Sequence, residues 1–241
     1  MRVFAVCSPP PTVACDRTMR KAIVSHRDLA EPLDESLPPE APRARIRQAA
    51  VELFVVQGFK GTSVRDITTA CHLTPGALYN HFPSKEAVLH AIISETHHKL
   101  EMALDEAMAD VSDDPAHRLF RLVEAFAKFH HQHRREALVA NLEYVELDEL
   151  HRLAVVQSRR ALRTRFEVEL HAGIEAGLFA IPSDGGENAI KLVATAISNM
   201  AIRISEVHGP DPHMDAATIA RFHAELALNM VTSRRESDRQ S

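Results

Sequence analysis

GFKGTSVRDITTACHLTPGALYNHFPSKEAVL, residues 58–89, is the stretch that decides the fold of this 241-residue chain. Thr62-Ser63 precedes a helical run that places Val64 and Ile67 on one face, with Cys71 four positions further on. Cys71-His72-Leu73 makes a short turn. Thr74 is placed to cap the next helix, and Pro75 falls at its first position, where a missing N–H costs nothing. Gly76 and Ala77 strip that first turn of bulk, so the backbone can approach another surface closely. Tyr79, Asn80 and His81 offer polar groups before Phe82 returns to the interior, and Ser84 caps a third helix. A helix with a hydroxyl cap and a bare first turn suits docking in a DNA major groove beside phosphates.

These residues also carry a resemblance. Gly58-Phe59, Thr62-Ser63-Val64, Ile67, Pro75-Gly76, Leu78-Tyr79, His81-Phe82 and Ser84-Lys85-Glu86 resemble the N-terminal domain of the TetR/AcrR family of bacterial transcriptional regulators, over about residues 43–93. The resemblance implies a dimeric repressor, less often an activator, released from a palindromic operator of double-stranded DNA by a small-molecule effector. It makes Pro75, Gly76, Ala77 and Asn80 the base-reading surface. Thr62, Ser63, Thr74, Tyr79, His81 and Lys85 become phosphate contacts, since hydroxyls, an imidazole and an amine at helix starts bind oxygen. Arg45 and Arg47 would reach the DNA backbone from the preceding helix. Plainer readings stand beside these: Tyr79 as a wedge between helices, Lys85 as a solvated first-turn residue. Leu78, Phe82, Ile67 and Phe54 read as core.

The chain departs from the family at the turn, where Ala-Gly-Val is usual and Cys71-His72-Leu73 stands. A glycine ordinarily supplies the positive φ there. Histidine is one of the few other residues enriched in that region, at a cost of order 1 kcal/mol or more. A strained but intact turn is expected, with Cys71 as a small core side chain.

Net charge is −5, which looks wrong for a DNA binder until it is divided. Residues 42–90 hold Arg43, Arg45, Arg47, Lys60, Arg65 and Lys85 against Glu52, Asp66 and Glu86, a balance of +3, while residues 91–241 carry −7. A small basic module can then meet phosphate while an acidic body stays soluble. So modest a positive charge neutralises few phosphates per subunit, which points to a homodimer. No apolar run approaches the roughly 20 residues of a membrane helix. Val3-Phe4-Ala5-Val6 is too short for a secretory signal, and Cys7, Cys15 and Cys71 make no disulfide framework. The cytoplasm is the expected compartment. No cofactor is implied, and no nucleophile elbow, Gly-rich phosphate loop, C-x-x-C or H-E-x-x-H supports an enzyme. A helical adaptor for protein partners is the remaining alternative.

The periodicity predicts an all-α fold of about nine helices. A three-helix DNA-binding domain spans 41–90, with its motif at about 63–82. A larger ligand-binding and dimerisation domain follows at 91–233. Residues 1–40, with prolines at 9, 10, 11, 32, 38 and 39, and residues 234–241 read as disordered tails. Met19 offers a second translation start. Ile46, Ala49, Ala50, Leu53 and Phe54 form one apolar stripe ended by Gly58, and Ser84 opens a long helix running towards Asp113-Asp114-Pro115. Further helices are expected at 115–133, 136–146, 148–177, 187–207 and 215–232. By family resemblance the last two make the dimer bundle, through Ile190, Val193, Ile197, Ile204, Ile219, Phe222, Leu226 and Met230.

The arginine-rich helix with Arg159, Arg160, Arg163 and Arg165, followed by Gly177-Leu178-Phe179, is similar to family members that sense acyl-CoA thioesters. It makes Arg159, Arg160 and Arg163 candidate ligands for a phosphate or carboxylate, with an apolar cavity for the tail. The alternative is a solvated face paired with Glu167 or Glu169. Among fifteen histidines, Glu95 and His98, His130 and His133, and Asp148 and His151 stand three apart on one helix face. The rest are scattered, so these read as ordinary histidines, with no metal expected.

Overall fold

The computed structural model describes residues 42–206 and 215–232. The expected tails at 1–40 and 234–241, the second start at Met19 and the break at Gly209–Pro212 lie outside the described residues. Nine α-helices and no strand occur among the described residues: α1 Pro42–Gly61, α2 Val64–Ala70, α3 Pro75–Tyr79, α4 Lys85–Met108, α5 Pro115–Gln132, α6 Arg134–Glu143, α7 Glu149–Glu175, α8 Ala189–Ile202 and α9 Ala216–Thr232. None is long and apolar enough to cross a membrane.

Polar caps set most boundaries. Ser63, Thr74, Ser84, Asp114 and Asp148 each accept a backbone N–H of the first turn they precede, satisfying donors a helix start otherwise leaves unpaired. Ser63 and Asp66 form a reciprocal capping box. Gly58, buried, holds φ 76 and ψ 166 and kinks the end of α1, a conformation essentially reserved for glycine. At the end of α7, Gly177 at φ 67 donates to Ile174 and Leu178 donates to Gly173, the pairing of a Schellman stop. Gly173 leaves the space that the Phe179 ring fills; a Cβ there would stand 2.0 Å from the ring.

Two cores share one helix. The first gathers Ile46, Ala50 and Phe54 of α1, Ile67, Leu78 and Phe82, and Val88, Leu89, Ile92 and Ile93 of α4. It extends to Leu138 and Val139 of α6 and Val155 of α7. The second holds Leu100 and Leu104 of α4, Leu119, Leu122 and Phe126 of α5, Phe166 and Leu170 of α7, and the inner faces of α8 and α9. The boundary expected near residue 90 therefore falls inside α4. Small residues line the inner face of α9, where Ala220, Ala224 and Ala227 are fully buried and let it pack closely on α5.

Ion pairs stitch the parts. Arg118 forks onto Glu169, with both N–H···O distances at 2.9 Å and the carboxylate buried. Lys60 of α1 meets Glu146 at 3.0 Å, and Arg135 of α6 pairs with Glu52 of α1.

Candidate DNA-reading head and effector cavity

The turn before α3 adopts the conformation its sequence predicts. His72 stands at φ 54, Cys71 is buried, and burial pushes its thiol pKa up. The turn is braced by Arg45, whose Nη2 donates to the Cys71 carbonyl at 2.6 Å. Arg43 donates to the His81 carbonyl at 2.8 Å and lies over the Phe82 ring. Pro75, Gly76 and Asn80 are exposed and Ala77 half-exposed, so the bare first turn of α3 faces outward. Leu78 and Phe82 anchor it from behind. Tyr79 is 54% exposed; it does not wedge between helices. Ser63 and Thr74 sit exposed at their helix starts, and His81 is half-exposed beside them.

Four expected DNA-backbone contacts have internal partners: Arg45, on the Cys71 carbonyl, and Thr62, Lys85 and Arg47. Thr62 is buried, and its hydroxyl donates to the Gly58 carbonyl at 2.8 Å. It holds the kink rather than facing solvent, a correction to its expected role. Lys85 donates to the Phe59 and Thr62 carbonyls, each at 2.6 Å, with its ammonium over the Phe59 ring. Burial lowers its pKa. Two of its three donors are used this way, leaving one for a phosphate. Arg47 pairs with Glu95 at 2.7 Å, so it braces α1 against α4.

In the body a cavity of about 200 Å³ opens between α4, α5, α6, α7 and α8. Leu100, Phe126, Phe129, Leu162, Phe166 and Ile202 make its apolar wall; Thr96, Asn141, Ser198 and Arg159 are among its polar groups. The Arg159 guanidinium donates to the Ala140 carbonyl at 2.7 Å and stacks 4.0 Å from the Tyr144 ring centroid. Burial pulls its pKa down, and no carboxylate among the described residues pairs with it. Burial, with Arg159 close by, pushes His97 and His130 down to about 4. Both imidazoles are therefore neutral at physiological pH, and half-buried Arg159 is left as the cation beside them. Arg163 also lines the cavity but pairs with Glu167 at 3.1 Å. Arg160 is exposed on the helix flank and does not line it. One residue is about 100° of helical turn, and that separates Arg160 from Arg159.

The expected dimer residues divide in the same way. Phe222, Leu226 and Met230 of α9 are exposed, at 61%, 39% and 42%, as is Leu192 of α8. Ile219 is half-buried on the same side of α9. Ile197 is fully buried within the subunit, and Ile190, Val193 and Ile204 pack against the second core. Ile197 is thus an internal residue, since the inner face of α8 is committed to its own body.

Comparison with known proteins agrees with this anatomy. The family model of bacterial regulatory proteins of the tetR family matches residues 46–92, and the tetracyclin repressor-like C-terminal domain matches 112–231. A solved bacterial regulatory protein of the tetR family from Rhodococcus RHA1 is 33% identical, with a TM-score of 0.71 over 80% of this chain and 98% of that one. The chain belongs to the TetR family. Among curated relatives of this TetR-family chain, the repressor DhaR of Mycobacterium sp. strain GP1 is 36% identical over 32% of this chain and 41% of its own length. That match spans less than half of DhaR. The repressor KstR2 of Mycolicibacterium smegmatis is 27% identical over 58% of this chain and 69% of its own. Membership in a family of helix–turn–helix regulators sets the catalytic and adaptor readings aside.

Proposed function

We propose that this TetR-family protein is a cytoplasmic repressor that binds a palindromic operator as a homodimer and is released by an anionic, lipid-derived effector, with acyl-CoA thioesters as the first class to test. Pro75, Gly76, Ala77 and Asn80 read bases, while Ser63, Thr74, Tyr79, His81 and the remaining Lys85 donor meet phosphates. Two heads spaced about 34–36 Å apart would enter successive major grooves. Phe222, Leu226, Met230 and Ile219 supply the face that a second subunit covers.

The observation that carries the effector reading is Arg159. It is a permanent positive charge, half-buried beside an apolar cavity, with no carboxylate from the described residues to neutralise it. A charge drawn out of water with no opposite charge beside it is costly, and an entering anion lowers that cost. The cavity lies below the roughly 300–1,000 Å³ of pockets that hold a whole drug-sized ligand. It suits a short acyl tail, with the headgroup at Arg159. Arg159 also holds the Ala140 carbonyl and Tyr144, and Tyr144 packs on the first core. Drawing the guanidinium towards an effector would disturb the contact of α6 with α1. Effective release requires that the effector favour the non-binding state by several kcal/mol.

Fluorescence anisotropy against DNA from upstream of the gene, at two salt concentrations, tests the regulator. The expected result is salt-dependent binding well above that of a scrambled duplex. Calorimetry with a panel of acyl-CoAs tests the effector. Arg159→Met should weaken the effector by about ten- to a hundredfold; no heat from any chain length would end the acyl-CoA reading.

A further inference from the structure

The sequence offers three pairs of metal-type ligands at helical spacing, and the fold treats them differently. Glu95 is taken by Arg47 and Lys99, at 2.7 and 2.8 Å. His130 is buried, and its Nδ1 donates to the Phe126 carbonyl. The third pair, Asp148 and His151, gains a third donor from a distant part of the chain. Glu86, in the first turn of α4, brings its carboxylate to the start of α7, so that one ligand atom from each of Glu86, Asp148 and His151 lies within 4.8 Å of the others.

We propose that Glu86, Asp148 and His151 form a binding site for a divalent transition ion of the zinc type, riveting the first turn of α4 to the first turn of α7.

The local geometry favours an ion over a proton. His151 Nδ1 stands 3.0 Å from Glu86 Oε1 and 3.0 Å from Asp148 Oδ2. One ring nitrogen carries at most one N–H, which the two carboxylates must share. Two carboxylates and one imidazole converge there, the oxygen and nitrogen donors that a zinc-type ion takes. Zn–N and Zn–O bonds of about 2.0–2.2 Å place tetrahedral ligand atoms roughly 3.4 Å apart. His151 Nδ1 stands close to that distance from both carboxylate oxygens, at 3.0 Å each, and the three ligand atoms all fall within 4.8 Å of one another. Asp148 uses its other oxygen, Oδ1, to accept the His151 backbone N–H at 2.9 Å, which fixes one ligand against another. The His90 ring stacks on His151 at 3.9 Å between centroids and is itself tethered to the Ser94 hydroxyl. His90 thereby holds the ring of His151 in place. All three donors are partly exposed, so an ion reaches them without any opening of the fold, and water takes the fourth position.

The site is independent of the effector cavity, so its test stands whether or not the acyl-CoA reading holds. Tag-free full-length protein, stripped with a chelator, is titrated with zinc chloride against a chromogenic competitor. One ion per subunit is expected, together with a rise in Tm. Cobalt substituted for zinc should show visible absorption of the intensity typical of tetrahedral coordination. His151→Gln and Glu86→Gln, each checked for native far-UV dichroism, should bind zinc at least about tenfold more weakly, because each removes one of three ligands. Zinc binding that is substoichiometric in the parent protein, or equally tight in both variants, would overturn the proposal. It would leave His151 as a hydrogen-bonding partner of the two carboxylates alone.

Discussion

The reading head and the effector body are built by different rules. In the head, what matters is local: Ser63, Thr74 and Ser84 cap helices a few residues long or just begun, and Gly58 and His72 supply the two positive-φ points between them. In the body, what matters is distant: Arg118 meets Glu169 across 51 positions, and the cavity wall draws on five helices. A polar cap contributes about 1 kcal/mol and sets conformation. A buried pair or a buried imidazole moves stability by several times that. Substitutions in the body should therefore act on folding first, and those in the head on fine geometry.

The largest expected effect is on pH. His97 and His130 titrate near 4 in the folded protein and near 6.5 when unfolded. The unfolded chain then takes up protons first as acidity rises. Their contribution is intact above about pH 6.5 and is lost as pH falls towards 4, by about 3 kcal/mol for each histidine. Thermal unfolding should show Tm dropping steadily across that window, with His130→Gln flattening part of the slope. A Tm level from pH 6.5 to 4.5 would mean the body does not bury these imidazoles as described.

Next comes Arg118→Met, which strands the buried Glu169 carboxylate and should cost about 3 kcal/mol in urea unfolding. Adding Glu169→Leu should restore most of it. If the double variant is no better than the single, packing by Arg118 matters more than its charge. In the head, Gly58→Ala forces a side chain into a glycine-only conformation and should cost about 1–3 kcal/mol. Its operator affinity, measured well below Tm, should fall as α2 shifts on α1; an unchanged affinity would show that the kink serves folding alone. His72→Gly is the smallest change. It relieves the positive φ and should stabilise by about 0.5–1 kcal/mol. Destabilisation instead would show that the imidazole has a contact outweighing its strain.

The same contrast explains what the sequence made legible. Caps, the proline at the start of α3 and the apolar stripe of α1 are written within a few positions, so the head's helices and its core of Phe54, Ile67, Leu78 and Phe82 could be read directly. Thr62 was not, because a hydroxyl at a helix start looks the same whether it points out or back to the Gly58 carbonyl. Arg159 and Arg160 were indistinguishable for a related reason: composition marks the helix as basic, but only the packing of α6 decides which arginine turns inward. Ile197 fits either an internal or an intersubunit face by periodicity alone. Glu86 beside His151 had no sequence signal, since nothing in spacing links two residues 65 positions apart.

Helix α4 has a mechanical consequence. Its 24 residues make a rod about 36 Å long, with Val88 and Leu89 seated in one core and Leu100 and Leu104 in the other. A lever of that length turns a tilt of about 5° at the body into about 3 Å of travel at the head, on the order of a whole hydrogen-bond length. The amplification needs stiffness and has no slack to absorb it. A pair of glycines at exposed Ser94 and His98, where α4 passes from the head's core to the cavity, would turn the lever into a hinge, leaving operator grip intact and effector news undelivered.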